Sequence, residues 1–321
     1  MLLKSFKLSA LALVLGLTAG TALAQNKHVA ITAIVEHPAL DAARDGVIKA
    51  LAEEGFVEGK NLKVDYQSAQ GNTGTAAQIA RQFIGEKPDV IVAIGTPSAQ
   101  AVVAASKTLP LVYAAVTAPI EAQLVSTMEA SGTNVTGVSD VLELEPQVEL
   151  IKKIVPTAKR VGIVYNPGEA NSVVVVNALK DLLPKHDMTL VEASAPRSVD
   201  VGSAARSLVG KVDVIYTNTD NNVVSAFEAL AKVSNEADIP LIASDTDSVK
   251  RGAIAALGLS YYGIGEQAGK IVARIFNGEN PGAIPSETSK TLQLHLNKKA
   301  AKDQGLELSE AILKEASQII E

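Results

Sequence analysis

Lys87-Pro88-Asp89-Val90-Ile91 returns 124 residues later as Lys211-Val212-Asp213-Val214-Ile215. Two more pairs recur in the same order. Lys27-His28-Val29-Ala30-Ile31 is echoed 132 residues on by Lys159-Arg160-Val161-Gly162-Ile163, and Leu109-Pro110-Leu111-Val112 is echoed 130 residues on by Ile239-Pro240-Leu241-Ile242. Three ordered matches at nearly constant spacing predict two lobes of one architecture. A helical solenoid is excluded, since its repeats run about 20–50 residues. In the last pair a Pro precedes the apolar run, where its missing N–H costs a strand least.

Around these anchors the chain alternates. Apolar, β-rich runs fall at Val29–Val35, Leu62–Tyr66, Val90–Ile94, Leu111–Val116, Val161–Tyr165, Thr189–Glu192, Val212–Tyr216 and Leu241–Ala243. Segments of helical spacing separate them. In Leu40–Glu54, Ala43, Val47, Ala50 and Leu51 form one stripe, and Gly55 is a natural stop. Such alternation predicts βαβ units and parallel sheets covered by helices, an α/β fold of two similar doubly wound lobes. After Asp245 the pattern changes. A helix is expected over Gly265–Phe276, an extended run over Thr291–Leu296, and a last helix near Leu308–Ile320, as if the chain returned to the first lobe and crossed back. Several crossovers make a hinge.

The first 24 residues read as a secretory signal peptide. Lys4 and Lys7 precede the apolar run Leu8–Leu17, and Ala22-Leu23-Ala24 supplies a small-x-small cleavage site before Gln25. The run is too short to span a bilayer, which takes about 20 residues. No Cys follows to carry a lipid, so a freely diffusing periplasmic protein is expected. The 297 remaining residues suffice for two domains, and 27 basic against 35 acidic residues leave a formal charge of −8. That balance disfavours nucleic acid and anionic membrane surfaces as partners. The absence of Cys excludes disulfides, thiol nucleophiles and Cys-ligated metals. His28, His37, His186 and His295 show no metal-motif spacing, so neither a metal nor a cofactor is expected.

In open α/β sheets ligands lie beyond the carboxyl ends of the strands. First-lobe ends offer Glu36-His37-Pro38, Gly95-Thr96-Pro97-Ser98 and Thr117-Ala118-Pro119. Hydroxyls at the start of a helix suit a carboxylate or another anion. Second-lobe ends offer Asn166 to Ser172, Thr217 to Asn222 and Ser244 to Asp247, rich in carboxylates and amides that suit an ammonium group or sugar hydroxyls. An anion site facing a cation site would match a free amino acid. Each of these residues taken singly also fits an ordinary helix cap. Enzyme signatures are missing: there is no Gly-x-Ser-x-Gly elbow and no phosphate loop. Gly263-Ile264-Gly265-Glu266-Gln267-Ala268 fits a relaxed dinucleotide fingerprint but lies too late in the chain for a βαβαβ unit, and reads as a flexible lead into a helix.

Five segments carry a family resemblance: Glu36 to Asp41, Gly55 to Asn61, Asn134 to Asp140, Asn166 to Ser172 and Ala243 to Gly252. Through them the chain resembles the periplasmic substrate-binding proteins of ABC transporters, in the family of tryptophan- and tyrosine-type binders. Asn166-Pro167-Gly168 departs mildly, where relatives often have Asn-Ser-Gly. The resemblance implies a type I periplasmic-binding-protein fold with a three-crossover hinge and no catalysis. The first lobe would comprise residues 25–138 plus 262–290, and the second 139–261 plus 291–321. Ser98 and Thr117, with Thr96, would hold a ligand carboxylate. Asp245, or failing it Asp220, would take the ammonium. Glu36, His37, Tyr165, Glu169 and Tyr261 are candidates for the side-chain pocket, the segments add Ser139, Asp140 and Asn171, and the strand end after Tyr216 adds Asn221. A monomer delivering an amino acid, with aromatic ones among the candidates, to a permease and its ATPase at the inner membrane is expected. A periplasmic sensor, or a binder of a sugar or nucleoside-like solute, stays open.

Overall fold

The computed structural model describes residues 26–321. The expected signal peptide, residues 1–24, lies outside the described residues. The first lobe begins with β1 (Lys27–Ala33), α1 (Pro38–Glu53), β2 (Leu62–Ser68), α2 (Thr73–Glu86), β3 (Val90–Ile94), α3 (Thr96–Ala105), β4 (Leu111–Ala114) and β5 (Val135–Ser139). The second lobe runs α4 (Leu144–Ile154), β6 (Arg160–Tyr165), α5 (Ala170–Leu182), β7 (Thr189–Ser194), α6 (Val201–Leu208), β8 (Val214–Thr217), α7 (Asn221–Ser225), α8 (Phe227–Glu236), β9 (Leu241–Ala243) and β10 (Ala255–Leu259). The chain returns for α9 (Tyr261–Phe276) and β11 (Glu287–Thr288). It then leaves again for β12 (Leu292–Asn297), α10 (Lys298–Asp303), α11 (Glu310–Glu315) and β13 (Gln318–Ile320).

Two sheets result, ordered β2-β1-β3-β4-β5-β11 and β7-β6-β8-β9-β10-β12-β13. Neighbouring strands are parallel except β10 and β12. Val90 to Ile94 is buried throughout, as a central parallel strand covered on both faces must be. The first lobe has one continuous core. The second has two, one on each face of its sheet. Three passages of chain join the lobes: β5 to α4, β10 to α9, and β11 to β12.

The second passage is secured by helix packing. Helix α9 lies against α1 at a separation that admits no side chain at the contact. A Cβ on Gly265 would collide with the carbonyl oxygen of Ala43, and one on Gly46 with that of Tyr262. Gly265 therefore serves close packing inside a helix that already starts at Tyr261, and the segment is not a flexible lead into it.

Other expectations also need correction. The last helix is short, and Gln318–Ile320 instead adds a strand beside β12, anchored by the Ser317 amide donating to Leu294 O at 2.8 Å. Strands β5 and β10 were not foreseen as strands. Their sequences, Val-Thr-Gly-Val-Ser and Ala-Ala-Leu-Gly-Leu, have little β-branched content or carry Gly, so sheet position and not propensity makes them strands. Ser139 closes a first-sheet strand and Tyr261 opens the helix packed on α1, so both belong with the first lobe, although the expected division put them in the second.

Gly265→Ala should lower unfolding stability in urea by about 1–3 kcal/mol or more through overpacking. Gly85→Ala, in α2 with open space around the added methyl, should be neutral or stabilising by up to about 1 kcal/mol.

Candidate functional site

In each sheet the strand order reverses once: between β1 and β3 in the first, and between β6 and β8 in the second. Such switch points open a crevice at the carboxyl ends of the strands. The two crevices face each other. Thr117 Oγ1, after β4, lies 3.4 Å from Thr219 Oγ1, after β8, so the lobes meet in a closed arrangement. A narrow cavity remains between them.

The first-lobe wall is built from strand ends and helix starts. His37 caps α1, its Nδ1 accepting the Leu40 amide at 3.4 Å. Burial, aided by the Arg251 charge of the other lobe, pushes its pKa down to about 3. The ring is neutral, and because Nδ1 accepts, its proton sits on Nε2. Gly95 (φ 85°) turns the chain sharply from β3 into α3, and an added Cβ there would press on Ile34. Thr96 follows, its Oγ1 buried without a protein partner beside the free N–H groups of the first helical turn. Ala115 takes a left-handed conformation (φ 55°) that costs a non-glycine residue energy and redirects the chain just before Thr117.

Asp140 lies where the chain first leaves the lobe. It accepts the Thr117 hydroxyl at 2.9 Å and the Tyr261 hydroxyl at 2.7 Å. Burial raises its carboxyl above the usual range, against those two hydrogen bonds. Tyr261 is raised as well, by burial and by the Asp140 charge.

The second-lobe wall presents acceptors. Asp245 caps the turn that follows it, receiving the Ser248 amide at 2.9 Å and the Ser248 hydroxyl at 2.6 Å, and burial raises its pKa. Glu169 lies behind the wall. It accepts from Asn221 N at 3.1 Å, Asn221 Nδ2 at 2.6 Å and Asn171 Nδ2 at 3.2 Å. These bonds use the amide NH₂ groups, which turns the carbonyl oxygens of Asn171 and Asn221 away from Glu169. Asn171 Oδ1 has no protein partner. Burial, then the nearby Asp220 charge, pushes Glu169 up to about 7.

The cavity thus gathers His37, Thr96, Thr117, Asp140, Asn171, Asn221, Asp245 and Tyr261 from among the expected residues. The others stand back from it. Glu36 is exposed, within 3.5 Å of the Tyr66 hydroxyl, and the Tyr165 hydroxyl donates to Glu192 at 2.9 Å. Ser98 is buried behind Thr96, and Ser139 ties its hydroxyl to Thr117 O at 3.2 Å. Asp220 caps α7 through Val223 N at 3.0 Å. Leu40, Thr219 and Val224 line the space without having been singled out. Thr219 was legible, since it follows β8 as Thr117 follows β4; the apolar pair carries no chemical signal. Among the described residues no Lys or Arg lines the cavity. Elsewhere His28, Asp65 and Glu86 come together, but Lys63 already pairs with Asp65 at 2.6 Å, which opposes a metal there.

Two switch-point crevices closing on a polar cavity define a two-lobed solute-binding protein. The chain matches the family model for ABC transporter substrate binding proteins over residues 28–320, and it belongs to that family. These are non-enzymatic transport components that bind small molecules outside the cytoplasmic membrane. The chain is similar to a tyrosine-binding protein of Clostridioides difficile, 42% identical over 278 residues, covering 87% of this chain and 81% of the relative. Its fold superposes on a Streptococcus pneumoniae ABC domain in complex with L-Trp with a TM-score of 0.89 at 32% identity, covering 92% of this chain and all of that one. A ligand-free, open substrate binding protein from Clostridium difficile scores 0.68 despite 40% identity, over 92% of this chain and 99% of that one. The lower score goes with the open form of that relative, at the higher identity.

The raised Glu169 favours its protonated form in the folded state. Its contribution to stability is therefore complete below about pH 4.5 and is lost as pH rises through about 7. Ligand-free protein unfolded in urea across that window should weaken with rising pH, and Glu169→Gln should make the slope shallower. An unchanged slope would place the titration elsewhere.

Proposed function

We propose that the protein captures a free amino acid, most readily an aromatic one, between its lobes. In this reading it works as a monomer in the periplasm, after removal of the signal peptide, and hands the ligand to the permease and ATPase of an importer. One observation carries the reading: two buried carboxylates, Asp140 and Asp245, line a cavity that has no lysine or arginine in its wall. Buried charge is costly without a counter-charge. A ligand ammonium supplies it, and the amide oxygens of Asn171 and Asn221 complete an acceptor-rich bed.

The ligand carboxylate then falls to the opposite wall, at Thr96 and the first turn of α3. Thr117 is a poorer donor than the sequence suggested, because its proton already goes to Asp140. A neutral sugar would bring neither carboxylate a counter-charge, which favours the amino acid. The aromatic preference draws on the tyrosine-binding relative and the L-Trp complex. Charge-assisted hydrogen bonds contribute about 1.5–3 kcal/mol each. A few of them, with an apolar side chain buried, reach the roughly −8 kcal/mol of micromolar binding.

Calorimetry across the twenty amino acids, on protein unfolded and refolded to strip carried-over ligand, should show micromolar binding of tyrosine or tryptophan. Silence toward all twenty would overturn the amino-acid reading. Asp245→Ala should weaken the bound amino acid at least tenfold; unchanged affinity would remove Asp245 from the ammonium site.

A further inference from the structure

Past the contact between Thr117 and Thr219 the cleft continues into a second, narrow space. The two spaces adjoin at Thr117, Asp140 and Thr219. The walls of the second are apolar on one side, formed by Leu142, Leu144 and Val175. Its far end is polar, formed by Tyr216, Asn218 and Ser244 from the carboxyl ends of β8 and β9.

One atom there is unsatisfied in a defined way. Asn218 is 2% exposed, and its Oδ1 has no hydrogen-bond partner. A relay fixes which end of the amide is left without a partner. Asp220 Oδ2 accepts the Asn166 amide at 2.7 Å and the Ser172 hydroxyl at 2.6 Å. Ser172 has thereby used its one proton, so its oxygen can only accept, and it receives Asn218 Nδ2 at 3.1 Å. The carbonyl oxygen of Asn218 is left as a buried acceptor at the polar end of the chamber, across from Leu142, Leu144 and Val175. A buried acceptor without a donor is destabilising. A ligand that brings a donor removes that cost.

We propose that this second chamber receives the ligand side chain and that Asn218 Oδ1 accepts a hydrogen bond from its polar tip, a phenol O–H or an indole N–H. The site then selects tyrosine and tryptophan over phenylalanine. Ser244 Oγ, likewise without a partner, adjoins the same end of the chamber. This assignment rests on the amino-acid reading above and adds a residue that decides between aromatic side chains.

The test uses the wild-type protein first, stripped by refolding. Titration with tyrosine, phenylalanine and 4-fluorophenylalanine compares tips of similar size, of which only the phenol donates. Tyrosine should bind at least tenfold more tightly than either, a difference of about 1.4 kcal/mol. Asn218→Leu, similar in volume but without the acceptor, should bring tyrosine down to the level of phenylalanine while leaving phenylalanine within about threefold of wild type. Affinities for the three ligands within threefold of one another on the wild-type protein would overturn the proposal and leave the amino-acid reading intact. Tyrosine preference that survives Asn218→Leu would also overturn it. Failure of every amino acid to bind would overturn both.

Discussion

The Asp140 carboxylate lies at the point on which this architecture turns. It begins the first passage between lobes, takes the hydroxyl proton of Thr117 from the end of a first-sheet strand, and takes that of Tyr261 from the end of the second passage. One buried charge therefore ties two crossings of the hinge to the wall of the cavity. The same Thr117 touches Thr219 of the opposite lobe. Burying a carboxylate is unfavourable unless donors surround it. The two hydroxyls make the burial tolerable, and a ligand cation would complete it.

The division of labour between walls follows from how each lobe ends its strands. The first lobe turns β3 into α3 with Gly95, which leaves helix-start N–H groups and the Thr96 hydroxyl facing inward. The second lobe places carboxylates behind or within the wall and uses them to hold amides in one orientation. Glu169 draws the NH₂ groups of Asn171 and Asn221 toward itself, and Asp220, through Ser172, draws that of Asn218. In both cases a carboxylate that does not line the cavity decides that an amide presents its oxygen there. The chemistry of the cavity wall is set one layer behind it.

Much of the fold was legible. The three ordered echoes predicted the duplicated lobes, and every apolar run read as a strand lies in one. Of the strands that escaped notice, β10 has Gly and Ala where a strand signal needs β-branched side chains, and β5 is a short run interrupted by Gly137. Their hydrogen-bonding neighbours make them strands. The C-terminal Ile319-Ile320 was absorbed into a helical pattern because a short apolar run has no period of its own. For the site, strand ends named most of the polar wall, but the same rule also named Glu36 and Tyr165, which turn outward to partners on neighbouring strands.

By itself the sequence determined the class of fold, the duplication, the expected address outside the cytoplasm and the residue types available at each strand end, because these depend on local pattern and on composition. Tertiary structure decided which of those residues face the cavity and which way their polar atoms point. Thr117 became a donor to Asp140, Gly265 a contact point between helices, and Asn218 a free acceptor. Those roles depend on partners 23, 222 and 46 residues distant along the chain, Asp140, Ala43 and Ser172. A hydrogen bond or a steric limit acts over a few ångströms in space, and nothing in local sequence records which distant residue will occupy that space.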